Sequence, residues 1–276
     1  MKILDGKALA AKKYKKLSIR VAALRKRGIT PTCAIIIVGD NAPSQVYVRL
    51  KQKAAEKIGT EVRIIALSRT VSEEFIREHI QKLNADSTVH GIIAQLPLPK
   101  ALSLDRCIEE LIDKDVDSTH PINMGRLFAG KPLFPPPTAQ SVVELIKAAG
   151  AKLKGADIVV VGAGFFGKQI AALCLAHEAT VVMTHKYTRG LASYTRRADI
   201  VISVAGVPGL IKGAMIKKGA VVIDAGISVK DGKVVGDVDF KSVSKKATAL
   251  TPVPGGVGPM TVACLLENVI ARAEQD

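Results

Sequence analysis

The sequence predicts an α/β protein built as two open α/β domains around a cleft, and three features of its 276 residues carry that expectation. Short apolar runs rich in β-branched residues alternate with longer segments of helical periodicity. A stretch with Pro132, Pro135, Pro136 and Pro137 close together divides one series of alternations from a second. The second series holds Gly162-Ala163-Gly164-Phe165-Phe166-Gly167 between an apolar run and a helical one. A chain this long is expected to form more than one core.

The elements follow in order. A basic amphipathic helix comes first, with Leu9, Leu17, Val21 and Leu24 on its apolar side. Its cluster of Lys12, Lys13, Lys15, Lys16, Arg20, Arg25, Lys26 and Arg27 reads as a solvated face. Next come a buried strand over 34–38, a helix over 43–58 stopped by Gly59, and a strand over 61–67. A helix over 72–84, a strand over 90–95 halted by Leu96-Pro97-Leu98-Pro99, and a helix over 104–113 complete the first series. This βαβαβα alternation with short connections argues a parallel sheet. Residues 115–137 read as a loop-rich crossing between domains. A helix over 139–149 leads to strands over 157–161, 179–184, 199–204 and 219–224, then a hairpin over 229–234. The glycine- and proline-rich loop 251–261 opens onto a helix over 261–273, expected to return and pack on the first domain. The expected division is a domain of residues 1–120 completed by helix 260–276, and a second domain of residues 121–259, the chain crossing twice between them.

Composition narrows the function classes. With 48% hydrophobic residues and almost no low-complexity sequence, the chain reads as globular. No apolar run reaches the roughly 20 residues that span a bilayer, and the Met1-Lys2-Ile3 start does not read as a signal peptide. Cys33, Cys107, Cys174 and Cys264 are scattered through apolar or helical stretches, as buried, reduced thiols of a cytoplasmic protein would be. Neither they nor the five histidines have metal-ligand spacing, so no metal is expected. The net charge of +15 suits either nucleic acid or a small polyanion. With 4% aromatics and no compact basic recognition motif, the small polyanion is the expectation, and neither nucleic acid nor membrane is an expected partner.

Four groups of residues are candidates for chemistry. Tyr47 and Lys51 stand i, i+4 on one helix face, and a lysine desolvated beside a phenol can exchange protons near neutral pH. Gln95 stands at the carboxyl tip of a buried strand, where either a ligand contact or a bond to the following turn belongs, and Leu96-Pro97 is a candidate cis bond. Asp117, in Lys114-Asp115-Val116-Asp117, suits a nitrogen heterocycle or, equally, a turn. The fourth is the glycine stretch. Strand, G-x-G-x-x-G and helix form the dinucleotide-binding fingerprint of a Rossmann-type domain: the first glycine turns, the second admits a pyrophosphate, and the third lets helix and strand approach. The strand after it ends without a carboxylate for ribose hydroxyls, whereas Lys186 and Arg189 can pair a 2′-phosphate, which favours NADP.

In order, these segments resemble the bifunctional methylenetetrahydrofolate dehydrogenase/methenyltetrahydrofolate cyclohydrolase family. The resemblance rests on the run from Val38 through Lys51, Gln95–Pro99, Lys114–Asp117, Ala220–Ile227, Gly236–Asp239 and above all Thr251–Thr261. It implies that Lys51 is the essential catalytic lysine, that Tyr47 stacks on the folate, that Gln95 holds Lys51, and that Asp117 anchors the pterin. It places Val48, Ala94, Leu96, Pro254, Gly255, Gly256, Val257 and Gly258 around the folate. It places Gly162, Ala163, Gly164, Gly167, Thr138, Lys186, Arg189, Ile227 and Thr261 along NADP, and it implies a homodimer. The chain departs from the family at Ser118 and Thr119, at Pro136-Pro137-Thr138-Ala139, at Gly162-Ala163-Gly164, where the turn is one residue short, and at Lys186. A cyclohydrolase with weakened dehydrogenation, and a non-enzymatic cofactor- or nucleic-acid-binding protein, are the alternatives.

Overall fold

The structure, a computed structural model, describes residues 1–276, the side chain of Pro43 excepted. The chain divides into two compact units, one of Ala11–Pro137 with Val262–Asp276, the other of Met1–Ala10 with Thr138–Thr261. The boundary expected after residue 120 therefore falls after Pro137, and the chain crosses three times rather than twice. The third crossing arises because β1 (Lys2–Ile3) joins the second unit's sheet, in parallel register with Ala249–Leu250. Lys2 N–H donates to the Thr248 carbonyl at 2.7 Å and Leu4 N–H to the Leu250 carbonyl at 2.9 Å. A two-residue strand has no periodicity to read, so these pairings escape a sequence argument. The crossing after Ala10 lies within α1 (Gly6–Lys26).

In the first unit, β2 (Thr32–Val38), α2 (Ala42–Ile58), β3 (Glu61–Leu67), α3 (Glu73–Ala85) and β4 (Gly91–Ala94) form a parallel sheet of order β3-β2-β4. The central strand β2 is buried along its whole length, as its β-branched run predicts. Asn41 caps α2 by accepting from Ser44 N–H, and Gly59, at φ +83°, closes it. The helix expected over 104–113 is shorter: α4 (Leu104–Cys107) ends where Ile108 and Leu111 turn into the core of Ile36, Ile76, Ile80 and Ile92. The segment expected as loop contains α5 (Pro121–Phe128). Its signal was present: His120 accepts from Ile122 N–H, and Pro121 occupies the first turn, where its missing donor costs nothing. From Val262 onward the last helix packs Val262, Leu266, Ile270 and Ala273 against Leu17, Val21, Ala54 and Ile58. Burying each large aliphatic chain contributes about 1.5–3 kcal/mol. The basic face of α1 is not all solvated: Lys13 pairs with Glu267 at 2.6 Å, and Arg20 grips Glu274 through two bonds of 2.8 and 2.7 Å.

The second unit begins with α6 (Pro137–Ala148), β5 (Asp157–Val161), α7 (Phe165–Ala176), β6 (Thr180–Thr184), α8 (Leu191–Thr195), β7 (Ile200–Ser203) and β8 (Val221–Asp224). It continues with the hairpin of β9 (Ser228–Lys230) and β10 (Lys233–Val235), then α9 (Phe240–Val243), β11 (Ala249–Leu250) and α10 (Val257–Ala273). Six parallel strands run in the order β1-β11-β8-β7-β5-β6. The helix α10 starts four residues before the expected 261, since Gly258 and Pro259 fall in its first turn, where proline is tolerated. Among the described residues, no helix is long and apolar enough to cross a membrane, and all four cysteines are buried with none in a disulfide.

Candidate functional site

In the first unit the structure gathers Tyr47, Val48, Lys51, Ala94, Gln95, Leu96 and Asp117. Tyr47 and Lys51 lie one turn apart on α2, whose start is set by the Asn41 cap. Lys51 is only 8% exposed, and its Nζ donates to Gln95 Oε1 at 3.0 Å. The Gln95 amide has one orientation open to it, because its Nε2 donates to the Leu96 carbonyl at 2.8 Å. Ser44 Oγ reaches the same carbonyl at 3.3 Å, tying the helix start to the strand tip. The Leu96-Pro97 bond is cis, as is Val253-Pro254. Burial pushes the Tyr47 hydroxyl above its ordinary value. Val48 and Ala94 are buried beneath the group, and Leu96 is half-buried.

The Lys114–Asp117 stretch separates into structural and candidate functional parts. Asp115 is fully buried and accepts from Thr119 N–H and Oγ1, His120 N–H and Asn123 Nδ2, so it is a loop-holding residue. Lys114 Nζ donates to the carbonyls of Leu83 and Asp86, and burial lowers its proton affinity. Asn268 fixes this segment by donating to the carbonyls of Val116 and Pro135. Asp117 is the carboxylate beside Lys51: desolvation raises its pKa, the Lys51 charge opposes that rise, and Asp115 adds to it. Ser118, at φ +54°, makes the turn after it and donates to the Phe134 carbonyl at 2.6 Å. Cys33 lies under the same pair, its thiol pushed up to about 12 by burial. An ammonium, an amide that holds it, a phenol and a raised carboxyl can together bind a flat polar heterocycle and relay a proton.

In the second unit the candidates follow the carboxyl ends of β5, β6, β7 and β8, where open α/β sheets bind ligands. Gly162 has φ +118°, and a Cβ there would lie 2.5 Å from the Val204 carbonyl oxygen. A Cβ on Gly167 would lie 1.8 Å from the Gly162 oxygen, so the third glycine sets how closely α7 meets the turn. Gly164 is different: its missing side chain faces open space, and no side-chain hydrogen bond caps α7 there. Ala163 is half-buried beside it. The first-turn N–H groups of α7 and the bare Gly164 thus fit a pyrophosphate. Lys186 and Arg189 are both exposed in the turn after β6. Thr261 Oγ1 lies 3.2 Å from Ser141 Oγ, which donates to the Thr138 carbonyl at 2.7 Å, so the structure brings Thr138 and Thr261 together. Ile227 is exposed at the root of the hairpin.

Pro254, Gly255, Gly256, Val257 and Gly258 belong to this second unit, not to the one holding Lys51. Two of their glycines have structural reasons: Gly255 adopts φ +111°, and a Cβ on Gly256 would lie 2.6 Å from the Pro252 oxygen. Two residues to which the sequence argument assigned no role are prominent here. Asp224 accepts from Gly226, Asp237 and Val238 N–H, and burial pushes its carboxyl up to about 6. Asp237 accepts from Ser203 Oγ and from Ala205, Gly206 and Val207 N–H. The sequence shows only an aspartate near a glycine in each case, Asp224-Ala225-Gly226 and Gly236-Asp237, and that pattern names no partner.

A parallel sheet with this glycine turn, in a chain whose other unit carries a lysine–amide–carboxylate group, defines a dinucleotide-dependent enzyme class. Residues 4–117 match the description "Tetrahydrofolate dehydrogenase/cyclohydrolase, catalytic domain", and residues 136–276 match its "NAD(P)-binding domain". The chain is 46% identical over 277 residues to "Bifunctional protein FolD" of Geotalea daltonii, covering 99% of each. A crystal structure of the bifunctional FolD enzyme from Campylobacter jejuni is similar at TM-score 0.97 and 44% identity, covering 100% of this chain and 99% of that one. The Trypanosoma brucei FolD structure, complexed with NADP and an inhibitor, matches at TM-score 0.94 and 38% identity, over 99% and 97%. This chain belongs to the tetrahydrofolate dehydrogenase/cyclohydrolase family.

Proposed function

We infer that the protein oxidises methylenetetrahydrofolate to methenyltetrahydrofolate with NADP and hydrolyses the product to 10-formyltetrahydrofolate. The observation that carries the reading is the near-buried Lys51 held at 3.0 Å by Gln95, in the part of the chain that matches the family's catalytic domain. Tyr47 offers a ring face to the pterin, and the Asp117 carboxyl, its pKa raised by burial, can accept hydrogen bonds from its amino-substituted edge. Gly162, Ala163, Gly164, Gly167, Thr138, Ile227 and Thr261 are the proposed NADP contacts, with Lys186 and Arg189 for its 2′-phosphate. Bound NADP supplies the acceptor for one hydride, which leaves the one-carbon bridge with both electrons of its C–H bond and makes the bridge cationic. Water then adds to that carbon, one proton is released, and a C–N bond opens to the formyl product. Lys51, as the neutral amine, takes the proton lost from the added water and returns it to the departing nitrogen, and Gln95 holds Nζ in place through its 3.0 Å bond. Holding the water and folate in place removes much of the entropic barrier.

The full proposal is a cytoplasmic homodimer acting on folates, the dimer to be tested by light scattering of the purified protein. Separate assays of NADP reduction and of methenyltetrahydrofolate hydrolysis test the chemistry. Both activities are expected. Hydrolysis without nicotinamide reduction would reduce the protein to a cyclohydrolase, and salt-sensitive nucleic-acid binding without turnover would remove the enzymatic reading altogether.

A further inference from the structure

The loops at the carboxyl ends of β7 and β8 are joined by two aspartates that the proposed chemistry does not use. Each carboxylate is packed against the other's glycine. A Cβ on Gly236 would lie 2.0 Å from Asp224 Oδ2, and a Cβ on Gly226 would lie 2.2 Å from Asp237 Cγ. Asp224 ends β8, and its carboxylate takes Asp237 N–H at 3.0 Å and Val238 N–H at 2.9 Å, catching the chain as it returns from the β9–β10 hairpin. The caught residue, Asp237, turns its own carboxylate the other way. It takes Ser203 Oγ at 2.9 Å, Ala205 N–H at 2.7 Å, Gly206 N–H at 3.2 Å and Val207 N–H at 2.8 Å. Asp237 and Ser203 are fully buried, and Asp224 nearly so. Ser228 Oγ, at the start of the hairpin, adds a bond to the Gly206 carbonyl at 3.1 Å.

The loop so held abuts the glycine turn. The Val204 carbonyl oxygen is the atom a Cβ on Gly162 would strike, and Val204 Cγ1 lies 3.3 Å from where a Cβ on Gly167 would be. The other held loop carries Ile227. Backbone N–H groups at a strand end are free to turn toward water or ligand, and three of them here are instead committed to one buried carboxylate.

We propose that Asp224 and Asp237 form a two-carboxylate clasp whose task is to position the 204–207 and 225–227 loops as one wall of the dinucleotide site. They are positioning residues for hydride transfer and take no part in hydrolysis. This rests on the cofactor reading above, and the clasp itself can be read without it.

The test uses the full chain with Asp237→Asn and, as the milder variant, Ser203→Ala. Asparagine keeps the shape but turns one acceptor into a donor facing N–H groups, so a bond must be lost. Amide hydrogen exchange of residues 204–207 and 225–227, measured without cofactor, is expected to speed at least tenfold in Asp237→Asn and less in Ser203→Ala. The NADP dissociation constant is expected to rise about tenfold, with cyclohydrolase kcat and KM within about twofold of the parent. Unchanged exchange in those loops overturns the clasp. Faster exchange with unaltered NADP affinity overturns its positioning role, as does an equal fall in both activities. If the parent protein itself fails to bind NADP, the cofactor reading falls with the positioning claim, and the exchange data still decide whether the clasp exists.

Discussion

Two glycines of the 162–167 turn, Gly164 and Gly167, make separable predictions. At Gly167, an alanine Cβ would stand 1.8 Å from the Gly162 oxygen, 2.9 Å from the Gly162 carbon and 3.3 Å from Val204 Cγ1. A carbon and an oxygen in contact keep about 3.2 Å or more, so α7 must retreat by more than an ångström or the turn must open. Overpacking of this kind costs about 1–3 kcal/mol, and here backbone meets backbone, which cannot rotate away. Gly167→Ala is therefore expected to lose about 3 kcal/mol in denaturant unfolding and to weaken NADP at least tenfold. Gly164→Ala meets nothing within 4 Å and needs no left-handed backbone. Its fold should lose under about 1 kcal/mol, the small penalty of alanine at an N-cap. Its NADP affinity should nevertheless fall, since the new methyl occupies the approach to the helix N-terminus. Urea unfolding and NADP titration of the two variants decide the matter. If Gly164→Ala destabilises as much as Gly167→Ala, or if it binds NADP normally, the division of roles between the glycines is wrong.

Further outcomes are expected from the same structure. Lys51→Met should cut cyclohydrolase kcat at least 100-fold, within the range of lost general acid–base catalysis, while the thermal midpoint stays within a few degrees; near-normal hydrolysis refutes the role of Lys51. The same substitution removes the charge that opposes the rise at Asp117, so NMR titration should find that carboxyl higher in the variant than in the parent. Lys186→Ser combined with Arg189→Ser should weaken NADP more than tenfold and leave NAD little changed, measured by KM for each. Asp224 has a folded pKa raised to about 6 from 3.8. The native state thus holds its proton more tightly than the unfolded chain, so its stabilising contribution is complete below about pH 3.8 and is lost as pH rises through 6. A shift of about two units corresponds to about 3 kcal/mol. The unfolding free energy of the parent minus that of Asp224→Asn should accordingly fall between pH 4 and pH 7; a flat difference removes the assignment.

Much of this architecture is legible in the amino-acid sequence. The β2 run from Cys33 to Val38 and the β5 run from Ile158 to Val161 are continuous and apolar because parallel strands are covered on both faces. The Asn41 cap and Gly59 stop announce α2, and the spacing of Tyr47 and Lys51 follows from helical geometry alone. The glycine pattern, read between strand and helix, located the turn and the close approach at its first and third glycines. What sequence could not supply were the partners. The pairing of Lys2–Ile3 with Ala249–Leu250 joins residues far apart in the chain through backbone groups that carry no side-chain signature. The division of Lys114–Asp117 into a buried loop-holder, Asp115, and a carboxylate facing Lys51 depends on which way two neighbouring aspartates point, and identical side chains cannot announce that. The clasp of Asp224 and Asp237 is of the same kind. Its glycines and aspartates are visible as letters, but only the closed fold places each carboxylate against the other's loop, because hydrogen-bond partners distant in sequence are chosen by tertiary packing rather than by local propensity.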